Sequence, residues 1–266
     1  MTPDCTARRR YCRPQRCFVA MRFWMKKEFR EARIVSMIID LPLELANYDV
    51  GLKTALHVGA HHGQQDSVYR QLGVDPIYVE ANPEVFSVLK KTLPDRVCHN
   101  FAIADETGTI DLHVTSFDHS SSILPFKKHA EICPDMQHEK TITVPCITID
   151  QLLSNQRSPM DLINLDIQGA ELMALQGATR TLRTTKAILT EVNREELYAG
   201  CALIGDLDFF LRQFGFQRVQ TSFKRGETWG DALYLKSKLI GHKRYWLAWK
   251  NWLEFRNCRR DQSSAA

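Results

Sequence analysis

The sequence predicts one α/β domain with a doubly wound, mostly parallel sheet, and three observations support that prediction. Short apolar segments alternate with helical patterns between residues 53 and 236, and this alternation favours a parallel sheet with helices on both faces. The 266 residues are 44% hydrophobic and 25% charged, a composition typical of a soluble globular chain with a sizeable core. No apolar run approaches the roughly 20 residues that span a bilayer, which excludes a transmembrane helix.

Strands and helices alternate through the first half of the domain. The apolar segment Thr54–Val58 predicts a buried strand that ends at Gly59. Pro83 suits the first position of a helix whose N-cap is Asn82. The predicted elements of this half are strand 54–58, helix 67–72, strand 77–80, helix 83–91 and strand 97–103.

The second half of the domain adds two strands with a different pattern. Residues 109–115 and 141–149 alternate strictly between apolar and polar side chains, as half-buried strands do. A polar stretch with three consecutive serines, Ser120 to Ser122, separates them. The remaining predicted elements are strand 161–167, helix 170–183, strand 187–192, helix 204–214 and strands near 216–223 and 231–236, of which the last two form an antiparallel edge.

Charge divides the chain into an acidic body and two basic ends. Residues 1–33 carry a net charge of +7, residues 236–260 also carry +7, and residues 34–235 carry −9. The acidic body argues against a nucleic-acid partner, because phosphate contacts need clustered Lys and Arg. The basic ends either pack on the body or contact an acidic partner or a membrane surface. The predicted parts are a basic arm over 1–50, the α/β domain over 51–237 and a basic, Trp-rich tail over 238–266.

Cysteine usage and the N-terminal sequence indicate the compartment. The eight cysteines are scattered and include no Cys-x-x-Cys pair, so we expect free thiols rather than disulfides or a zinc site. Five arginines interrupt residues 1–20, which excludes the apolar core of a signal peptide. We therefore expect a cytoplasmic protein, with peripheral membrane attachment through the basic ends as an open alternative.

The turn after the first strand has the composition of a ligand-binding loop. Small residues in Gly59-Ala60-His61-His62-Gly63 allow the backbone to approach a ligand, and the helix that follows offers free N–H groups. Glu80 ends the next strand, 21 residues after Gly59, where a carboxylate can accept both hydroxyls of a ribose. The loop has no second close glycine for a pyrophosphate. A nucleoside ligand without phosphates, such as S-adenosylmethionine, therefore fits better than NAD.

Carboxylates end two neighbouring strands of the predicted sheet. Asn164 and Asp166 alternate with apolar residues and lie on one side of their strand, and Glu191 ends the next strand in the matching place. Ligands of doubly wound sheets bind at the carboxyl ends of strands, so Asp166 and Glu191 would face one pocket. Two such carboxylates can divide the roles of general base and ionised partner, and they specify no metal strongly. Glu171, in the first turn of its helix, also suits the helix dipole.

The order of these motifs resembles the FkbM-type methyltransferases. The likeness runs from about residue 53 to 236, and its most specific part is the pair of segments 165–171 and 175–178. It implies a Rossmann-like, seven-stranded methyltransferase sheet and methyl transfer from S-adenosylmethionine to a hydroxyl oxygen of a sugar, a glycan or a secondary metabolite. The matching segments are Val-Gly-Ala-His-His-Gly (58–63), Val-Glu-Ala-Asn-Pro (79–83), Asn-Phe-Ala-Ile-Ala-Asp (100–105), Ser-Ser-Ser-Ile-Leu (120–124), Thr-Ile-Asp-Gln-Leu (148–152), Leu-Asp-Ile-Gln-Gly-Ala-Glu (165–171) and Leu-Gln-Gly-Ala (175–178).

The resemblance and the residues together assign roles within the chain. Catalysis is assigned to Asp166, Glu191 and His61, with His62 and His119 as further candidates for the base. Ser121, Ser122 and Asn164 are assigned to the acceptor pocket, which residues 116–140 and 193–203 are expected to shape. No metal is expected. The predicted cofactor residues are His57, Gly59, Ala60, Gly63, Glu80, Ala81, Asn82, Asn100, Ala102 and Asp166, with the glycine loop at the methionine end, Glu80 at the ribose and residues 100–105 at the adenine.

Two positions depart from the family pattern. The family usually has Asp where this chain has His57, and Lys where it has Asn164. The departures fit either retuned cofactor binding or a weakened enzyme, and the remaining cofactor residues favour retuned binding. Three other functions stay open: a non-catalytic binding or scaffold protein, an enzyme that uses NAD or a nucleotide sugar, and an RNA methyltransferase.

Overall fold

A computed structural model describes residues 38–128, 136–223, 228–241 and 249 of the chain. The predictions for the first 37 residues, and for the tail beyond residue 241 apart from Trp249, lie outside the described residues. In the described part, the strands are β1 (Thr54–Val58), β2 (Asp75–Val79), β3 (Val97–His99), β4 (Ala102–Ile103), β5 (Gly108–Thr115), β6 (His138–Ile147), β7 (Leu162–Leu165), β8 (Ala187–Asn193), β9 (Phe216–Phe223) and β10 (Trp229–Lys236).

The main sheet contains seven of these strands in the order β3-β2-β1-β7-β8-β10-β9. In this sheet the five strands β3, β2, β1, β7 and β8 run parallel to one another, whereas β10 is antiparallel to both β8 and β9. The predicted Rossmann-like sheet with an antiparallel edge is therefore confirmed. The chain builds outward from β1 to β3 and then returns to β7 on the other side of β1. This reversal opens a crevice at the carboxyl ends of β1 and β7, where such sheets bind ligands.

Helices cover both faces of the main sheet. One face carries Leu56 and Val58, which pack with Leu175 and Leu211 of two helices. The opposite face carries Ala55 and Tyr78, which pack with residues of four other helices. The helices are α1 (Leu41–Asn47), α2 (Asp66–Leu72), α3 (Pro83–Thr92), α4 (Ile149–Leu152), α5 (Glu171–Gln176), α6 (Ile204–Gln213) and α7 (Ser237–Ile240). None of the helices in the described ranges is long and apolar enough to cross a membrane.

Helix α1 belongs to the segment predicted as part of a basic arm. Its Leu41 and Leu45 are 0% and 3% exposed and join the core on the face of the sheet that α2 and α3 also cover. Asp40 accepts a hydrogen bond from Leu43 N at 3.0 Å and so caps the helix. Residues 38–50 therefore contribute to the hydrophobic core of the sheet.

The segment predicted as a single strand over 97–103 is divided between two sheets. β3 pairs with β2 in the main sheet, and β4 pairs with β6 in a second sheet of order β4-β6-β5. Asn100 lies between them, and its Nδ2 donates to Glu80 O at 2.8 Å and to Ala81 O at 3.1 Å. These side-chain bonds take the place of ladder pairing and let the chain leave the main sheet.

The helix predicted over 170–183 is also shorter in the structure. α5 ends at Gln176, and a separate 3₁₀ turn covers Thr181–Arg183. A Cβ at Gly177 would lie 2.4 Å from Ala104 O, so the chain passes too close to its neighbour for a side chain. The Asp150 carboxylate then accepts from Thr181 N at 2.8 Å and starts the separate turn.

Candidate functional site

The loop after β1 packs directly against the end of β7. Gly59 has a φ of +77°, and its N donates to Val79 O at 3.0 Å. A Cβ at this position would lie 1.9 Å from Asp166 O. Only glycine fits there, because the left-handed backbone and the close carbonyl both exclude a side chain. The close approach of Asp166 O thus accounts for a glycine at this position, and the predicted contact of Gly59 with the cofactor stays a prediction.

The rest of the loop is anchored in the core. Ala60 is 2% exposed, and its N donates to Val79 O at 3.1 Å. Gly63 has a φ of +81°, and a Cβ there would lie 2.5 Å from Leu93 Cδ1. These contacts fix the backbone of the loop, so that Gly59, Ala60 and Gly63 can line a ligand site only with their backbone groups.

Glu80 ties the first two strand ends together. Its Oε2 accepts from His61 N at 2.9 Å, and its Oε1 accepts from Asn82 N at 2.9 Å. Burial raises the pKa of Glu80, and these backbone donors counter part of that effect. The side chain is half-buried, and each oxygen retains a lone pair after its backbone bond. The carboxylate can therefore still accept two hydroxyl groups of a ligand.

The other predicted cofactor residues around Glu80 have structural contacts of their own. Asn82 is 3% exposed and caps α3, with Oδ1 accepting from Glu84 N at 3.0 Å. Ala102 is 2% exposed and packs in the core of the second sheet, where Ala81 joins it. Together with Asn100, these residues fix the strand ends beside Glu80, and their binding roles stay predictions.

Asp166 and Glu191 lie together at the carboxyl ends of β7 and β8. Gln168 connects them, because its Nε2 donates to Asp166 Oδ1 at 2.9 Å and to Glu191 Oε2 at 3.0 Å. A side-chain hydrogen bond between Glu191 and Asp166 lowers the pKa of Asp166 and raises that of Glu191. The sequence prediction that the two carboxyl groups face one place is consistent with this geometry.

Burial and mutual repulsion shift the protonation of this carboxyl cluster. Burial, followed by the charges of Asp166, Glu171 and Asp231, raises the pKa of Glu191 well above its usual range. Burial also raises the pKa of Asp166, but bonds from Gln168 and Glu191 oppose the rise. Two carboxyl groups this close repel each other when both are ionised, so the pair tends to retain one proton. We assign that proton to Glu191, which leaves Asp166 as the ionised carboxylate.

Glu171 lies behind this pair at the start of α5. It is 2% exposed, and its Oε1 accepts from both Ile167 N and Gly169 N at 3.1 Å. Burial, the largest influence, raises the pKa of Glu171 to about 7, and the charge of Asp166 adds to the rise. Its role in the structure is to hold the turn that carries Gln168.

Two histidines lie close enough to Asp166 to influence its charge. Electrostatic interactions with His119 and His61 lower the pKa of Asp166. The His61 ring lies 6.3 Å from His119 and 3.8 Å from His62, between ring centroids. The Gln64 amide lies 2.8 Å from His61 Nδ1. The predicted catalytic His61 thus lies beside the carboxyl cluster, and its role in proton transfer stays a prediction.

The predicted serine turn is joined to the same cluster. Ser122 is 1% exposed, and its Oγ donates to Gln168 O at 2.8 Å. Ser121 Oγ accepts from Thr115 N at 3.5 Å. The Tyr198 hydroxyl donates to Gln168 Oε1 at 2.9 Å and lies 3.2 Å from Ser120 O. Ser122 therefore fixes the turn, whereas its assignment to the acceptor stays a prediction.

His57 and Asn164, the two departures from the family pattern, are direct neighbours in the sheet. They are cross-strand partners on β1 and β7 and are 2% and 3% exposed. Asn164 Nδ2 donates to Gln65 Oε1 at 2.7 Å and to Tyr69 OH at 2.9 Å, which lie at and within α2. The structure therefore places Asn164 under α2, where it supports the glycine loop from behind. This placement does not favour the predicted contact with an acceptor.

His57 is enclosed by two tyrosine rings. Its ring centroid lies 5.8 Å from that of Tyr69 and 5.7 Å from that of Tyr78. Burial lowers the pKa of His57 to about 3, so the ring is neutral. Both ring nitrogens lack a hydrogen-bond partner among the described residues. The predicted cofactor contact of His57 finds no support in this position, and the pair of departures lies in the core.

Sequence reasoning missed two residues of the site. Gln168 stands inside the most specific motif, but the pattern did not reveal that its φ is +56° and that its amide reaches both carboxyl groups. Tyr198 lies in the stretch expected to shape the acceptor pocket, and it is 0% exposed. A polar residue between Asp166 and a glycine was the available signal for Gln168. In the described ranges, no group of three or more His, Cys, Asp or Glu side chains is placed to hold a metal.

Comparison with known proteins agrees with this geometry. A model of the Methyltransferase FkbM domain matches residues 57–218, which is more than half of the chain. The chain belongs to this family. The FkbM domain match begins in β1 and ends in β9, so it contains Glu80, Asp166, Gln168 and Glu191. Residues 57–218 are therefore a methyltransferase domain of the FkbM family.

Relatives of this FkbM protein include one curated enzyme. The chain is 32% identical over 146 residues to the 2-O-methyltransferase NoeI of Sinorhizobium fredii (strain NBRC 101917 / NGR234). That alignment covers 52% of this chain and 58% of the relative, so the chain spans less than two-thirds of the relative's length.

Solved structures with a similar arrangement include two methyltransferases. One is a TehB-like SAM-dependent methyltransferase from Corynebacterium glutamicum, with a TM-score of 0.40, 12% identity and coverage of 84% of this chain and 100% of that one. The other is an S-adenosylmethionine-dependent methyltransferase from Clostridium acetobutylicum, with a TM-score of 0.43, 7% identity and coverage of 82% and 98%.

Proposed function

We propose that this protein transfers a methyl group from S-adenosylmethionine to a hydroxyl oxygen of a sugar. The observation that carries the proposal is the pair Asp166 and Glu191, joined by Gln168 at the carboxyl edge of the sheet beside the loop that holds Glu80. A carboxylate that remains ionised beside a protonated partner suits removal of a hydroxyl proton. The similarity to a 2-O-methyltransferase supports an oxygen acceptor.

The residues at the ends of β1, β2 and β3 fit the adenosyl part of the cofactor. Glu80 retains one free lone pair on each oxygen, which suits the two ribose hydroxyls. The loop from Gly59 to Gly63 offers backbone groups at the start of α2 for the methionine end. Asn164 supports this loop through Gln65. Bound cofactor supplies a methyl group on a positively charged sulfur, which is already an activated leaving group.

The chain itself orients the acceptor and accepts its proton. Asp166 would accept the proton of the acceptor hydroxyl. The oxygen would gain the methyl group that the cofactor supplies when bound, with cleavage of the methyl carbon–sulfur bond and release of a neutral thioether. Glu191 retains its own proton and its hydrogen bond to Asp166, which stabilises the carboxylate before transfer. General-base help of this kind contributes roughly a hundred- to ten-thousand-fold to a rate. Positioning of the two reactants accounts for the rest of the acceleration.

The methyl acceptor would lie over the ends of β7 and β8, because most of the predicted cofactor residues follow the ends of β1, β2 and β3. The serine turn and the segment 193–203 border this half through Ser122 and Tyr198. We propose a sugar hydroxyl as the acceptor and cytoplasm as the place of reaction. Contact of the basic ends with an acidic partner or a membrane surface stays a separate proposal, since those ends lie outside the described residues.

The test is methyl transfer to a set of methyl hexopyranosides and methyl 6-deoxyhexopyranosides. Purified protein and isotopically labelled S-adenosylmethionine are incubated with each glycoside, and the product is identified by mass and by the position of the new O-methyl group. The proposal expects label in at least one glycoside with the parent protein and at least roughly a hundredfold less label with Asp166→Asn. Label on nitrogen or carbon of another acceptor class, with none on any glycoside, would contradict the sugar assignment.

A further inference from the structure

The Gln168 side chain is the centre of the hydrogen bonds that surround the two carboxyl groups. Its Nε2 contacts Asp166 Oδ1 at 2.9 Å and Glu191 Oε2 at 3.0 Å, and its Oε1 contacts the Tyr198 hydroxyl at 2.9 Å. An amide nitrogen carries two hydrogens, so both are directed at carboxyl oxygens. Every polar atom of this side chain therefore has a defined partner.

Tyr198 determines which way the Gln168 amide points. A rotation of the amide by half a turn would place its oxygen against two carboxyl oxygens, which repel it. The Tyr198 hydroxyl favours the observed orientation, because its nearer acceptor is Gln168 Oε1 at 2.9 Å rather than Ser120 O at 3.2 Å. Tyr198 is 0% exposed and hence well fixed.

The backbone holds Gln168 from the other side. Its φ of +56° lies in the left-handed region, which an ordinary residue adopts only when its surroundings impose it. Ser122 Oγ donates to Gln168 O at 2.8 Å. Gly169 follows at φ +100°, where a Cβ would lie 2.8 Å from Cys201 Cβ. The turn is therefore built to present the amide at one place.

We propose that Gln168 is a positioning residue that, fixed by Tyr198, keeps the Asp166 carboxylate oriented and ionised for removal of the acceptor proton. The inference rests on the proposed function for the identity of the reaction. Its physical basis is that hydrogen-bond donors stabilise the charged form of a carboxyl group. The other titratable groups that face the pair are His61, His119, Glu171 and Asp231, and a substitution at Gln168 alters none of these four residues.

The decisive measurement is the titration of Asp166 by carbon NMR in protein labelled with ¹³C at aspartate Cγ. The Asp166 signal is assigned by its loss in Asp166→Asn. In Gln168→Leu the midpoint is expected to rise by about one pH unit or more, which is a tenfold gain in proton affinity. Tyr198→Phe leaves Gln168 present but frees its amide, so the midpoint should rise by a smaller amount.

A matched control separates the amide from the backbone support of the turn. Ser122→Ala removes the bond to Gln168 O but leaves the amide and both carboxyl groups, so the Asp166 midpoint should stay within a few tenths of a pH unit. If Gln168→Leu does not fold, Tyr198→Phe alone decides. A midpoint that is unchanged in the folded Gln168 or Tyr198 variant would overturn the inference.

The kinetic consequence is measured with any glycoside that the parent methylates. Gln168→Leu should lower kcat and move the acid limb of the pH profile upward, while S-adenosylmethionine affinity by calorimetry stays within about twofold. A loss of cofactor affinity equal to the loss of rate would instead indicate general damage and contradict a positioning role. If the parent methylates no glycoside, the sugar proposal fails, and the NMR titration still decides the inference on Gln168.

Discussion

Glu80 and Asp166 follow strands on opposite sides of β1, and the two carboxyl groups are held in different ways. Glu80 accepts hydrogen bonds from backbone N–H groups of His61 and Asn82, which belong to the rigid strand ends. Asp166 is held by side chains, Gln168 and Glu191. Further acidic groups, Glu171 and Asp231, add to the charge around that pair.

The contrast indicates a division of labour along one edge of the sheet. A carboxylate bound by backbone donors has a fixed place and a stable charge, which suits recognition of a ligand. A carboxyl group that shares hydrogen bonds with a second carboxyl group can gain and lose a proton near neutral pH, which suits chemistry. The part of the edge at β2 (the binding side) would thus bind the cofactor, and the part at β7 and β8 (the reactive side) would take part in the chemical step.

Among the substitutions that distinguish the binding side from the reactive side, Asp166→Asn is expected to change activity most. The amide cannot take the acceptor proton, so turnover should fall by roughly a hundred- to ten-thousand-fold. Activity is measured as transfer of labelled methyl to a glycoside that the parent accepts. Asp111→Asn is the matched control, because Asp111 is exposed on β5 and bonds Thr143 at 2.9 Å. Turnover of Asp166→Asn at the parent rate would remove Asp166 from the mechanism.

Gly59→Ala tests the close contact that joins the two sides. A Cβ there would lie 1.9 Å from Asp166 O on a backbone with φ of +77°, so both stability and cofactor affinity should fall. We expect a loss of roughly 2 kcal/mol or more in the free energy of unfolding, measured with urea. Gly108→Ala is the control, since a Cβ at Gly108 meets nothing within 4 Å. Equal stability of the two variants would contradict the contact.

Glu171→Gln tests the electrostatic crowding on the reactive side. The folded-state pKa of Glu171 is raised from 4.5 to about 7, so the folded protein binds this proton more tightly than the unfolded chain. The contribution of Glu171 to the free energy of unfolding is therefore greatest below pH 4.5. It falls by about 3 kcal/mol as the pH rises to 7. The variant keeps a neutral side chain and should flatten the fall, measured as urea midpoint against pH. A slope identical to that of the parent would show that Glu171 is not buried as described.

His57→Leu should have the smallest effect on stability, and it should change neither cofactor binding nor the reactive carboxyl pair. The His57 ring is neutral and its nitrogens lack partners among the described residues, so an apolar side chain of similar size removes a desolvation cost. We expect a gain of about 1 kcal/mol in the free energy of unfolding and cofactor affinity within about twofold of the parent. A large loss of affinity would restore the prediction that His57 contacts the cofactor.

The sequence pattern predicted most of the sheet because buried strands and capped helices have local signatures. The helix after Asn82 begins at Pro83 as predicted, with Asn82 Oδ1 as its cap. Two of the errors, at 97–103 and 170–183, occurred where tertiary contacts decide the outcome. Asn100 bonds the neighbouring strand end and Gly177 packs on Ala104 O, and neither partner is close in sequence.

The site was predicted in part for the same reason. Period-two alternation predicted that Asn164 and Asp166 lie on one side of their strand. It could not show that β7 ends at Leu165, so that Asn164 lies under α2 while Asp166 emerges at the edge. The position of Gln168 depends on a left-handed backbone and on Tyr198, 30 residues further along the chain. Such contacts arise from the fold and carry no local pattern.

The division between a binding side and a reactive side is tested most directly by calorimetric titration with S-adenosylmethionine and S-adenosylhomocysteine. The parent, Glu80→Gln and Asp166→Asn are compared under one set of conditions. Glu80→Gln should lose at least about tenfold in affinity for both ligands, because an amide replaces one hydroxyl acceptor by a donor. Asp166→Asn should bind both within about threefold of the parent. Parent-like affinity of Glu80→Gln, or loss of binding in Asp166→Asn alone, would contradict the account.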